Sequence, residues 1–84
     1  MYYVYVLYSK LKNVFYIGYT SDLRQRLKDH VYGNVHTTEK MRDCALVYYE
    51  ACISKKDAIL RERQLKTGFG RGYLRRRLKH SLDD

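Results

Sequence analysis

Five side chains in this sequence are of the kinds that can act together on an anion: Tyr5, Tyr16, Arg26, His30 and Glu62. Hydrolysis of a phosphodiester needs an activated water, a cation for the charge that gathers on the phosphorane-like oxygens, and help for the leaving oxygen. Tyr5 or Tyr16 could handle the water, Arg26 the charge, and Glu62 a metal ion. A free tyrosine titrates near pH ~10, so it serves as a base only where positive charge stabilises its anion.

Glu62 is the ambiguous member of the set. It falls on a helical stripe with Ala58 and Leu65, at i, i+4, i+7, among residues that should be buried. A buried carboxylate without a partner is expensive. It must therefore pair with Arg61 or Arg63, hold a metal, or sit at a pocket rim, and the spacing alone leaves all three open.

The elements that position these residues can be read from periodicity. Tyr2–Ser9 is an almost unbroken aromatic and β-branched run, a strand covered on both faces or nearly so. Lys10 to Asn13 is a hairpin loop, with Asn13 tolerant of positive φ, so Val14–Thr20 returns antiparallel. Tyr3, Tyr5 and Leu7 share one face of the first strand; Val14, Tyr16, Gly18 and Thr20 share a face of the second. A glycine inside a strand marks a close approach of backbone or ligand.

Ser21 is placed to cap a helix from Asp22 to about Tyr32, with Leu23, Leu27 and Val31 on its buried side and Gly33 as its stop. Arg26 and His30 flank that stripe, while Arg24 and Lys28 face solvent. Residues 33–43 form a long polar connection. Ala45–Ile53 is a third strand, with Glu50 interrupting it on the exposed side. Ser54 opens a second helix, with Asp57 in the place of a capping-box acid. Thr67–Gly72 is a glycine-rich stop and turn that lacks the pattern of a phosphate loop. Leu74, Leu78 and Leu82 give a short C-terminal helix dense in arginine, followed by a frayed Asp83-Asp84 tail.

At 84 residues the chain reads as a single small domain spanning 1–84. Seventeen Lys and Arg against nine Asp and Glu give +8, a bias that implies a polyanionic partner, with nucleic acid the default. No run approaches the ~18 apolar residues of a membrane span, and no signal-peptide core follows Met1, so the expectation is a cytoplasmic protein with no membrane partner. Cys44 and Cys52, eight apart on one strand, would lie about 26 Å apart, too far for a disulfide. A zinc site built from His30, His36, Cys44 and Cys52 lacks any CxxC pair. Most of the ten tyrosines, among them Tyr2, Tyr8, Tyr48, Tyr49 and Tyr73, read as core or interface packing.

Together these residues resemble the GIY-YIG endonuclease domains. Val4-Tyr5 within YVYVL resembles the first half of that signature, Tyr16-Ile17-Gly18 is the second half intact, and the eleven-residue step between the tyrosines is the family's. Arg26, His30 and the segment Arg61–Lys66 resemble its later motifs, so the resemblance covers Tyr3 to Leu78. It is strongest to small standalone bacterial members that share the nuclease module of the excision-repair protein UvrC. The chain departs where Tyr3-Val4-Tyr5 stands in place of Gly-Ile-Tyr.

The resemblance implies an α+β fold, a three-stranded antiparallel sheet flanked by helices. It also implies a metal-dependent DNA endonuclease, in repair or recombination, with one divalent ion, Mg2+ or Mn2+, on Glu62 and no small-molecule cofactor. Tyr5 and Tyr16 would position or deprotonate water, Arg26 would stabilise the phosphate, and His30 would assist beside it. Arg24, Lys28, His36, Lys66, Arg71, Arg75 and Arg76 are read as nucleic-acid contacts on a DNA or RNA partner. The alternative is a non-catalytic, basic nucleic-acid-binding module that keeps the fold. Oligomeric state is not legible.

Overall fold

The computed structural model describes residues 1–31 and 43–83. Three strands, β1 (Tyr2–Ser9), β2 (Val14–Thr20) and β3 (Cys44–Cys52), form an antiparallel sheet in the order β2-β1-β3. The apolar run of β1 thus lies between two neighbours, which is why six consecutive residues of it, Val4 to Ser9, are buried. Four helices follow or intervene: α1 (Leu23–Val31), α2 (Lys55–Leu65), α3 (Gly68–Arg77) and α4 (Lys79–Asp83). This is the α+β architecture expected. Both cysteines are free, at opposite ends of β3.

Alternation along the strands sorts the two sheet faces. Val4 and Val6 form a core with Ala58 and Leu65 of α2, Leu74 of α3 and Leu78, while Tyr19, Ile17 and Phe15 pack from β2. Hence α2, α3 and α4 cover the even face of β1. On the odd face Tyr3, Tyr5 and Leu7 pair with Thr20, Gly18 and Tyr16, and α1 crosses there. A bulge between Val6 and Leu7, where β3 slips from Tyr48 to Leu46, leaves Val47 as the extra residue.

Local chemistry explains the turns. Asn13 sits at φ 56°, and its side-chain oxygen accepts from the Tyr8 hydroxyl at 2.6 Å and from Arg75 at 3.1 Å. A second Arg75 nitrogen donates to the Asn13 carbonyl at 3.1 Å, and the guanidinium stacks over Phe15. One asparagine therefore fixes the hairpin and ties it to α3. At the other strand junction the buried Ser9 hydroxyl donates to Asp43, which also accepts from the Leu11 N–H. Those bonds hold the Asp43 carboxyl below its ordinary range.

Several expectations need correction. Asp22, not Ser21, caps α1: its carboxylate accepts the Gln25 N–H at 3.0 Å. Ser54 occupies the cap position of α2 but makes no side-chain cap bond. The glycine-rich stretch is not a long break. The chain turns within Lys66-Thr67, Thr67 caps by accepting the Gly70 N–H at 3.1 Å, and the glycines form the first turns of α3. Glycine is required at position 70 because a Cβ there would lie 2.2 Å from the Gln64 carbonyl oxygen and 2.4 Å from the Leu65 Cα. The leucine stripe spans two helices, broken at Leu78, and Asp83 belongs to α4 rather than to a frayed tail. Gly33, the expected stop of α1, lies outside the described residues.

Glu50 is also not on the exposed side. It pairs with Val4 on the helix-covered face and receives three bonds from Arg61 at 2.9 to 3.1 Å and one from the Tyr48 hydroxyl at 2.8 Å. Burial works against its charge, but the Arg61 and Tyr48 bonds prevail and hold the carboxyl below its ordinary value. Arg61 is thus committed to Glu50 and stacks over Tyr73, so it is not the partner of Glu62.

Candidate active site

Strand register builds the centre of the site. Tyr5 and Gly18 are direct cross-strand partners on the odd face, and Tyr16 lies diagonally beside Tyr5, opposite Leu7. With no side chain at position 18, the Tyr5 ring lies down over the glycine: a Cβ there would come within 2.5 Å of the phenol oxygen. The ring is 4% exposed. Only a glycine allows that posture.

Helix α1 then delivers Arg26. The Thr20 hydroxyl accepts the Asp22 N–H at 3.1 Å, so the strand turns into the helix at a fixed point. One turn further, Arg26 Nε donates to the Tyr5 hydroxyl oxygen at 3.1 Å. That bond is the first cause of an Arg26 pKa above the ordinary arginine value, with burial opposing it. A permanent cation on an exposed residue of α1 is held beside a buried phenol, and Tyr16 on β2 is half-exposed.

Glu62 belongs to a different element from the Tyr5–Arg26 pair. It lies on α2, its side chain 17% exposed, and its ion-pair partner is Lys66 at 3.4 Å. Lys66, read as a nucleic-acid contact, is thereby engaged with that carboxylate. At 3.6 residues per turn, Arg61 and Glu62 leave α2 on opposite flanks of the buried Ala58–Leu65 stripe. Arg61 points to β3, where it meets Glu50. Glu62 accordingly faces the β2 side, the outer strand that carries Tyr16 and Gly18. Tyr5 and Arg26 are brought into contact directly on the odd face of the sheet, whereas Glu62 belongs to α2, which packs on the even face.

The remaining residues divide by their surroundings. His30 falls on α1, four residues after Arg26, but its side chain is outside the described residues, as is His36. Arg24 and Lys28 are exposed on α1; Arg71 and Arg76 are exposed on α3. Arg75 is held by Asn13 and Phe15, a structural engagement that a charge run does not disclose. Two features were not read from the sequence. One is the Glu50–Arg61–Tyr48 network, whose only trace was the odd carboxylate in a strand. The other is Tyr49, read as packing but 53% exposed beside Tyr3, at a ring separation of 6.1 Å.

A donor set of one carboxylate with a single ion-pair partner suits a particular kind of ion. The Lys66 contact at 3.4 Å is longer than the about 2.7–2.9 Å of a strong charge-assisted bond, so Glu62 retains acceptor capacity. Among the described residues no three His, Cys, Asp or Glu side chains cluster. A hard cation that binds one or two carboxylates and completes its shell with water and substrate phosphate fits these residues.

Comparison with known proteins shows the family to which the chain belongs. Residues 1–77 match the family model described as the GIY-YIG catalytic domain. The chain is 38% identical over 66 residues to the UPF0213 protein SH2523 of Staphylococcus haemolyticus, an alignment covering 77% of this chain and 79% of that protein. No solved structure matches significantly. No helix among the described residues is long and apolar enough to cross a membrane.

Proposed function

The chain belongs to the GIY-YIG family of nuclease-type catalytic domains, and on that premise we propose that it is a divalent-metal-dependent endonuclease hydrolysing DNA phosphodiester bonds. The observation that carries the reading is the Arg26 Nε to Tyr5 hydroxyl bond above Gly18. It fixes a cation and a phenol in one geometry before any substrate arrives, which is the economy of a preorganised electrostatic site.

In this mechanism a scissile phosphate docks against the terminal nitrogens of the exposed Arg26. Water attacks phosphorus opposite the leaving oxygen, the P–O bond to that oxygen breaks, and Arg26 neutralises charge on the non-bridging oxygens. Tyr16, half-exposed on the outer strand, orients the water and as its phenolate takes the water's proton, which it returns to solvent, while the departing oxygen is protonated from bulk water and Tyr5 holds Arg26. Mg2+ or Mn2+ would be held by Glu62 and would supply positive charge for the leaving oxygen. His30, on the same helix face as Arg26, would lie beside the phosphate. Exposed Arg24, Lys28, Arg71 and Arg76 would contact neighbouring phosphates. A role in repair or recombination rests on the family resemblance alone, and a cytoplasmic setting is in keeping with the two free thiols.

Incubating purified protein with supercoiled, branched and single-stranded DNA in Mg2+ or Mn2+, beside Glu62→Ala and Arg26→Ala, tests this. Cleavage should require both residues and the ion. Equal cleavage by wild type and Glu62→Ala would expose a contaminant and favour a non-catalytic binding module, the reading that the Glu62–Lys66 ion pair would then support.

A further inference from the structure

A cleft of about 380 Å³ lies between the first turn of α1 and the tyrosines of β1 and β3, and of its lining the reaction above uses Arg24 alone, as a phosphate contact. Tyr3 and Tyr49 line one wall, Leu23 and Leu27 another, with Arg24 and Ser21 at its polar margin. The two rings meet edge to face at 62°. Tyr49 is 53% exposed in mid-strand, where β3 is an outer strand and an aromatic gains little from packing. Its register partner is Tyr5. The two residues therefore leave the sheet one strand spacing, about 5 Å, apart, with the Tyr5 ring lying over Gly18 on the far side of β1 from Tyr49.

Helix geometry puts two arginines on the two sides of this arrangement. With Leu23 and Leu27 toward the sheet, Arg24 and Arg26 leave α1 on opposite flanks. Arg26 meets Tyr5, and Arg24 lines the cleft. The Asp22 carboxylate, which also borders the cleft, is occupied by the Gln25 N–H. A cation beside an accessible aromatic face matches a nucleotide that offers a phosphate and a bare base. In a duplex the base faces are covered by their neighbours and only groove edges and phosphates remain. An aromatic cleft of this kind selects against pairing.

We propose that the cleft receives the base of an unpaired nucleotide in single-stranded DNA, adjoining the phosphate held at Arg26, with the base stacked on Tyr49 and its phosphate on Arg24. The placement beside the scissile phosphate rests on the nuclease reading; the base-binding property does not. Both are separable by measuring binding without turnover.

Fluorescence anisotropy with a labelled single strand and with its fully paired duplex, at one fixed salt concentration, compares wild type, Tyr49→Ala, Tyr49→Phe and Tyr49→Leu. Losing the ring should weaken single-strand binding by roughly tenfold or more while duplex binding holds, and Tyr49→Phe should keep wild-type affinity. Tyr49→Leu retains apolar bulk on the strand and should lose as much as Tyr49→Ala, which separates stacking from any folding defect; thermal melts of each variant check the latter. The proposal fails if Tyr49→Ala and Tyr49→Leu bind the single strand as wild type does, or lose single-strand and duplex binding equally. A wild type with this ring-dependent preference that cuts no DNA would overturn the nuclease reading and leave the cleft assignment intact.

Discussion

Gly18→Ala is the most informative single change, because the structure sets both its size and its target. The new methyl carbon would sit 2.5 Å from the Tyr5 hydroxyl oxygen and 2.7 Å from the ring carbon bearing it. Comfortable contact lies near 3.5 Å, so the ring must retreat by about 1 Å. The Arg26 bond, now 3.1 Å, does not survive such a shift in useful geometry. Overpacking costs about 1–3 kcal/mol, and replacing a strand glycine returns about 0.5–1 kcal/mol, so the fold loses only about 0–2.5 kcal/mol. Misplacing a catalytic group by that distance costs about 100-fold in rate. The expected signature is a small drop in urea midpoint with a large drop in single-turnover cleavage. In a Tyr5→Leu background, which has no atoms where the methyl would collide, Gly18→Ala should stop destabilising. Wild-type cleavage by Gly18→Ala, or an undiminished stability cost in the Tyr5→Leu background, would refute the argument.

Other expectations follow from the same contacts. Arg26→Lys keeps the charge but loses the directed Nε–H, and single-turnover rates should fall nearly as far as in Arg26→Ala, about 100-fold or more. Arg61→Ala leaves the half-buried Glu50 without its main partner and should cost about 1–3 kcal/mol in denaturant titrations. Because the Glu50 carboxyl sits below its ordinary range, its contribution is complete above that range and drains away as pH falls through the lower folded value. Acid titrations of stability should therefore flatten in Glu50→Gln. Arg75→Ala should lower the melting temperature by releasing Asn13 and Phe15, whereas Arg76→Ala should leave it unchanged and reduce the salt slope of DNA binding by about 0.9. Reversal of those two readouts would mean that Arg75 is the phosphate contact.

The strands and the centre of the site were legible because both depend on short-period patterns. Alternation alone put Tyr5 on one face of the first strand and Tyr16 with Gly18 on one face of the second, the strand register joined the two, and i, i+4 spacing set Arg26 beside the leucine stripe of α1. What escaped was partner choice among like residues. Asp22 competes with Ser21 for the cap, and the carboxylate bonded to Gln25 wins. Arg61 could have served Glu62 one position away, yet it turns to Glu50, which lies across the core on β3 and accepts three bonds. Arg75 looks like its neighbours Arg76 and Arg77 in the sequence, and only the fold brings Asn13 to it. The glycines of Thr67–Gly72 read as a break because glycine disfavours helix; a close approach of backbone at Gly70 outweighs that preference. Tyr49 was indistinguishable from Tyr48 until the strand was paired and one ring turned inward to Glu50 while the other met solvent.

The corner at Gly70 has a consequence for how this protein would look in a mutational scan. Position 70 is not among the residues proposed to react, yet every one of the larger residues would have to force apart two peptide backbones that already meet at contact distance. Such a scan would score it as intolerant as the reacting residues themselves. Intolerance there would measure the seating of one helix against the next, and only a stability readout run in parallel would keep it from being mistaken for chemistry.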